Sequence, residues 1–282
     1  KFSQNLKYNF FPKPHFTTIE ASISNDYKEI SKINKLKIFV SLDKLFSVKN
    51  IEVRDLIFEN ANFNLNKKNF NFFTDLIEKN FLNGKLIVKN SNIFFTSIDK
   101  EVLFITKILK MKYFYDPKEL KNILYSENEI FNIPFSLMSF FNDEKNKIFS
   151  TINLKLIKLK IKNEISINKK IKTGKSEIIL NKSKQFLEYE MEKNFIKFYI
   201  FDKIDQPRLK FNGNFNLRPF YASLNGDLKE IKLKHLFGSN TIVTQLLKTE
   251  LLNNTNLDFS LDIDANKIYN NSNFINVNLK SK

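Results

Sequence analysis

Few side chains in this sequence carry the chemistry of a catalytic centre. The two histidines, His15 in PKPHF and His235 in LKHLFG, lie far apart along the chain and neither neighbours a carboxylate cluster. His15 is expected in a loop and His235 at the end of a short turn. Asp262 and Asp264 in LDIDAN share one face of an alternating strand, a spacing that could pair two carboxylates for acid and base work. On a polar strand face they read instead as a solvated pair. Cysteine is absent, which removes disulfides and thiolate ligands. The sequence holds no Gly-x-Ser-x-Gly elbow, phosphate-binding loop or dinucleotide fingerprint. The expectation is a protein that is not an enzyme, with no catalytic residue, no metal site and no cofactor.

The elements that would position any site are strands. Apolar residues recur at every second position: Leu36, Ile38, Val40 and Leu42; Ile51 and Val53; Phe63 and Leu65; Leu86 and Val88. The pattern returns at Leu257, Phe259, Leu261 and Ile263, and at Ile275, Val277 and Leu279. Period 2 with polar residues between describes strands with one wet face. Connections such as KNSN (89–92) and SENE (126–129) are short and polar, which predicts an antiparallel sheet of hairpins. Three stretches have helical spacing: 71–81, a segment opened by Pro117, and 241–252. Three of the five glycines, Gly84, Gly213 and Gly226, follow asparagine. Asn-Gly supports the positive φ of a tight hairpin turn, so each pair is predicted to launch a new strand, with a helix cap as the alternative at Gly84.

Composition narrows the partners. The formal net charge is +16, with 46 basic residues, but arginine occurs only at Arg54, Arg208 and Arg218. The bias toward Lys, Asn, Ile and Phe follows A/T-rich codons, and scattered lysines lack the bidentate donors of base readers. Nucleic acid is therefore not the expected partner. No window is long and apolar enough for a membrane-spanning helix. The start, KFSQNL, suggests a mature region or fragment whose upstream anchor has been removed.

If the hairpins form one sheet, its apolar side needs a cover: a second sheet, helices or a ligand. The predicted helices are too few for it. The candidate fold is thus mainly β with a few short helices, either a curled antiparallel sheet forming a groove or a closed β-sandwich. In the groove, the binding residues would be Ile38, Val40, Leu42, Ile51, Val53, Phe63, Leu65, Leu86 and Val88.

The order of these pieces resembles the AsmA family. PHFTTIEASIS (14–24) is followed by LKIFVSLDKLFSVKNIEVRDLIFENANFNLNKKNFNFF (36–73) and LNGKLIVKNSNIFFTS (82–97). Val40, Leu42, Leu45, Phe46, Ile51, Val53, Leu56, Phe58, Phe63 and Leu65 occupy the family's apolar slots, and Ala61 stands where proline is common. IFNIPFSL (130–137) is similar to a later strand of the family without its glycine, and FNGNFNLRPFYASLNGDLKEIKLKHLFG to a later repeat. The resemblance implies a β-rich region in the periplasm, anchored to the inner membrane through a segment outside this chain. It is also similar, through TamB and YhdP, to bridge-like lipid transfer proteins. The implied function is binding or conducting phospholipid acyl chains between inner and outer membranes, supporting outer-membrane biogenesis, with a possible outer-membrane partner. A structural or chaperone-like scaffold for outer-membrane protein assembly is the alternative. Residues 1–282 are read as one elongated region, with residue 116 as the place for any division.

Overall fold

The computed structural model describes residues 6–25, 28–41, 52–66, 84–96, 102–142, 144–166, 172–180, 183–192, 195–201, 209–217, 220–232, 258–269 and 273–281. Every regular element among them is a β-strand. The chain divides into two compact units, one of residues 1–130 and 134–141, the other of 131–133 and 142–282.

The first unit contains β1 (Lys7–Asn9), β2 (His15–Asn25), β3 (Lys28–Val40), β4 (Val53–Leu65), β5 (Lys85–Thr96), β6 (Val102–Asp116), β7 (Lys121–Ile130) and most of β8 (Ile133–Asn142). From β1 to β7 each strand pairs with its neighbours in sequence. The second unit continues with β9 (Lys147–Leu154), β10 (Leu159–Ser166), β11 (Lys172–Leu180), β12 (Ser183–Met191), β13 (Phe195–Phe201), β14 (Leu209–Leu217), β15 (Phe220–Lys232), β16 (Asp258–Tyr269) and β17 (Asn273–Ser281). These strands also pair in sequence order. Each unit is thus a single open sheet rather than a sandwich or a barrel. Inter-strand twist accumulated over this many strands curls such a sheet.

Two pairings correct the all-antiparallel expectation. β4 and β5 run parallel, as do β15 and β16. The chain from 66 to 84 and from 233 to 257 joins them, long enough for the crossover that parallel strands require. Two of the predicted helices, 71–81 and 241–252, fall in these connections and outside the described residues. The third is corrected: Pro117 to Leu120 form a turn, and Lys121 starts β7. Leu120 takes φ 50°, which turns the chain back at once, and ladder bonds to β6 replace a helix.

A row of irregularities crosses the first sheet. Glu20, Asn60 and Asn90 sit in mid-strand with φ of 58°, 55° and 47°. Leu109 is an extra residue in β6, between the pairs Ile108 with Asn128 and Lys110 with Glu127. Asparagine tolerates the left-handed region, so Asn60 and Asn90 take these angles without glycine. The KNSN stretch, expected to be a connection, is this crease in β5, and SENE lies within β7. A side-chain hydroxyl bridges the break: Ser91 Oγ accepts from the Ala61 amide at 2.9 Å and donates to the Lys89 carbonyl at 2.7 Å. The next turn falls instead at Phe131 and Asn132, both with positive φ.

The crease shifts the strand alternation. Thr18, Leu36, Phe58 and Val88 form a cross-strand row on one side of it. Ala21, Ile33 and Ala61 form the next row on the same face. Buried positions therefore step by three rather than two, from 18 to 21, 33 to 36, 58 to 61 and 88 to 91. A hydrophobic core results from residues of both parities, including Ile33, Leu36, Phe58, Phe63, Val88 and Tyr113.

Candidate functional site

The predicted groove residues separate into three groups. Phe63, Leu86 and Val88 belong to the core of the first sheet, 8%, 5% and 0% exposed, with Ile38 packed against it. Val40 is buried, Leu65 is half-buried, and Val53 is 48% exposed. Leu42 and Ile51 lie outside the described residues. Val53 precedes the crease and Phe63 follows it, so their shared odd numbering does not put them in one environment. Leu36, Phe58, Ala61 and Tyr113 also belong to the cluster, with Ala21, Ile33 and Ile108, and were not among the predicted groove residues. The signal was present in the sequence as paired asparagines, FENANF and VKNSNI, interrupting an otherwise regular alternation. Burial pushes the Tyr113 hydroxyl up to about 12.

The second sheet carries an apolar face of different character. One cross-strand row runs Ser176, Leu187, Ile200, Phe211 through β11 to β14. The adjacent row runs Ile165, Gly174, Tyr189, Phe198, Gly213, Leu224 through β10 to β15. A further row joins Ile152, Ile161 and Ile178. Every one of these large apolar side chains is half-buried, whereas the first sheet has a buried cluster at its centre with half-buried residues such as Ile38, Leu56 and Ile93 around it. The opposite face holds cross-strand ion pairs. Lys162 and Lys184 reach Glu177 at 2.8 and 2.9 Å, Lys175 reaches Glu188 at 2.7 Å, and Lys147 pairs with Glu164. Hydrogen bonds from Lys162 and Lys184 hold the Glu177 carboxyl down at about 2. The Glu188 carboxylate raises Lys175. A hollow of about 230 Å³ is lined by Lys147, Glu164, Lys175 and Glu188 together with Tyr189 and Tyr199.

The glycines serve this apolar face and not turns. Gly213 and Gly226 are interior residues of β14 and β15, and neither has positive φ. Gly213 lies opposite Phe198, and a Cβ there would stand 2.5 Å from the Phe198 ring and 2.1 Å from the Ser223 carbonyl oxygen. Gly174 lies opposite Tyr189, whose ring would be 2.1 Å from an added Cβ. Absent side chains leave room for aromatic rings to lie across the neighbouring strand. Tyr189 thereby reaches Asn163 on β10, donating its hydroxyl to Oδ1 at 2.9 Å, where the Ser176 hydroxyl also donates at 2.8 Å. Gly84 does precede a strand, β5, and an added Cβ there would meet the Arg54 carbonyl oxygen at 1.8 Å.

The other candidates for chemistry are placed as follows. His15 is the first residue of β2 and not a loop residue, 7% exposed and stacked on Phe39 with ring centroids 4.8 Å apart. Its position follows from the Val40 amide donating to the Pro14 carbonyl, which draws the strand start against β3. His235 is outside the described residues. Asp262 and Asp264 lie in β16, aligned with Asn225 and Asp227 of β15. Among the described residues there is no His, Asp and Glu cluster able to hold a metal, and no helix long and apolar enough to cross a membrane. The chain matches no protein-family model, and no curated protein matches it in sequence.

Proposed function

We propose that this chain binds or conducts phospholipid acyl chains along the apolar face of its sheet. The observation that carries the reading is the set of half-buried Ile, Leu, Phe and Tyr rows on one face of the second unit, backed by a face where ion-paired lysines and glutamates stand among Phe149, Ile179, Phe186 and Phe201. Such rows present apolar side chains continuously from strand to strand. Burying methylene groups there is worth roughly 0.8 kcal/mol each, so a groove can replace bilayer at little net change and let a chain slide. This work requires no nucleophile, no general base and no metal. The resemblance to AsmA-like proteins supports placing it in the periplasm, anchored to the inner membrane and supplying the outer membrane.

The test is organic extraction and native mass spectrometry of the purified chain after incubation with phospholipid. Wild-type protein carries lipid. Ile200→Glu, on the apolar face, loses it, while Tyr199→Glu, the next residue on the charged face, keeps it. A chain that carries no lipid under these conditions, or for which both variants behave alike, defeats the reading.

A further inference from the structure

We propose that the hairpin tip at residues 6–13 docks into the interface of an anionic lipid bilayer. All eight residues are exposed, in contrast to the strand that follows them. Leu6, Tyr8, Phe10 and Phe11 are 43%, 46%, 59% and 82% exposed, an unusual gathering of large apolar side chains on one short segment. Tyr8 is the middle residue of β1, and Leu6 and Phe10 flank that strand. Phe10 and Phe11 meet edge to face with centroids 5.5 Å apart, so the two rings form one wedge.

The base of this wedge is fixed. Tyr8 packs on Phe16 at 5.3 Å, Asn9 donates to the Thr17 hydroxyl at 3.1 Å, and His15 Nδ1 lies 2.8 Å from the Lys13 carbonyl. Pro14 and His15 are buried immediately behind it. A short apolar segment is therefore pinned to β2 through Tyr8 and Asn9, with Phe10 and Phe11 left exposed beyond the paired residues.

Charge selects the occupant. Lys7 and Lys13 flank the aromatic residues, and the first carboxylate in the chain is Glu20. Aromatic rings at headgroup depth with lysines reaching toward phosphate are the chemistry of an anionic lipid surface. Protein interfaces are enriched in arginine and depleted in lysine, and both cations of this tip are lysines. The proposal is independent of lipid occupancy on the sheet face, because docking uses the exterior of a bilayer and none of β10 to β15.

The chain contains no tryptophan, so Phe11→Trp supplies a single reporter. With phosphatidylcholine vesicles containing phosphatidylglycerol, its emission shifts to the blue and is quenched by brominated lipid. Phe10→Ser/Phe11→Ser lowers vesicle partition at least about tenfold through lost apolar burial. Lys7→Gln/Lys13→Gln lowers it about thirtyfold, at about fivefold per lysine, and only on anionic vesicles. Ile200→Glu leaves partition unchanged, which separates this site from the sheet face. Emission that stays at its lipid-free position in excess vesicles, or partition unaffected by the serine and glutamine pairs in variants with native circular dichroism, overturns the proposal.

Discussion

Substituting Gly174 by alanine isolates the contact that organises the apolar face of the second sheet. The new Cβ would stand 2.1 Å from Tyr189 Cζ and 2.3 Å from its oxygen, so the ring must leave its place. Displacement breaks the 2.9 Å hydrogen bond to Asn163, worth about 1 kcal/mol, and about 1–2 kcal/mol of ring packing. Alanine in a strand returns roughly 0.5–1 kcal/mol relative to glycine. The net loss is about 2 kcal/mol, which at a urea dependence of about 2 kcal/mol per M lowers the midpoint by about 1 M. In a Tyr189→Ala background the obstruction is gone, and Gly174→Ala becomes neutral or slightly stabilising. The double-mutant cycle should thus show a coupling of about 2–3 kcal/mol. Urea unfolding followed by circular dichroism measures it, with amide exchange in β11 and β12 reporting the local effect. Equal destabilisation by Gly174→Ala in both backgrounds would refute the placement of the ring over the glycine.

Two further outcomes test the rest of the fold. Phe58→Ala should cost about 3–5 kcal/mol while Val53→Ala stays within about 0.5 kcal/mol, because Phe58 is 8% and Val53 48% exposed; thermal melts of the two variants decide it, and comparable losses would mean the crease does not shift the alternation. Glu177 titrates below its ordinary value, so its contribution to stability is complete above about pH 4.5 and disappears as pH falls toward about 2. Replacing Lys162 and Lys184 by methionine should move its carboxyl titration, followed by carbon NMR, back up toward the ordinary range. The associated change in acid stability should be modest and weakened by salt, since the pair sits at the surface.

How far the sequence spoke depends on the residue. Alternation at Leu86 and Val88, or at Ile38 and Val40, made strands visible, because side-chain direction in a strand is a local, two-residue property. The same reading failed at Val53 and Phe63. One left-handed residue at Asn60 exchanges the faces between them, and it sits between Glu59 and Ala61, which pair with Lys35 and Ile33 of β3. Asn-Gly at 212–213 and 225–226 carries the local signature of a turn, yet β13, β15 and β16 hold those residues in extended ladders. The half-exposed rows of the second sheet were missed as a site because alternation marks a face without measuring what covers it.

What the sequence by itself determined is therefore the β character of the described chain and the two-sidedness of its strands. Both follow from short-range backbone sterics and the partition of apolar from charged side chains. Tertiary structure alone decided which rows are sealed and which stay accessible, where two strand pairs turn parallel, and why glycine sits beneath Tyr189 and Phe198. Those outcomes depend on residues brought opposite one another across strands, and register between distant segments is set only when the whole sheet has formed.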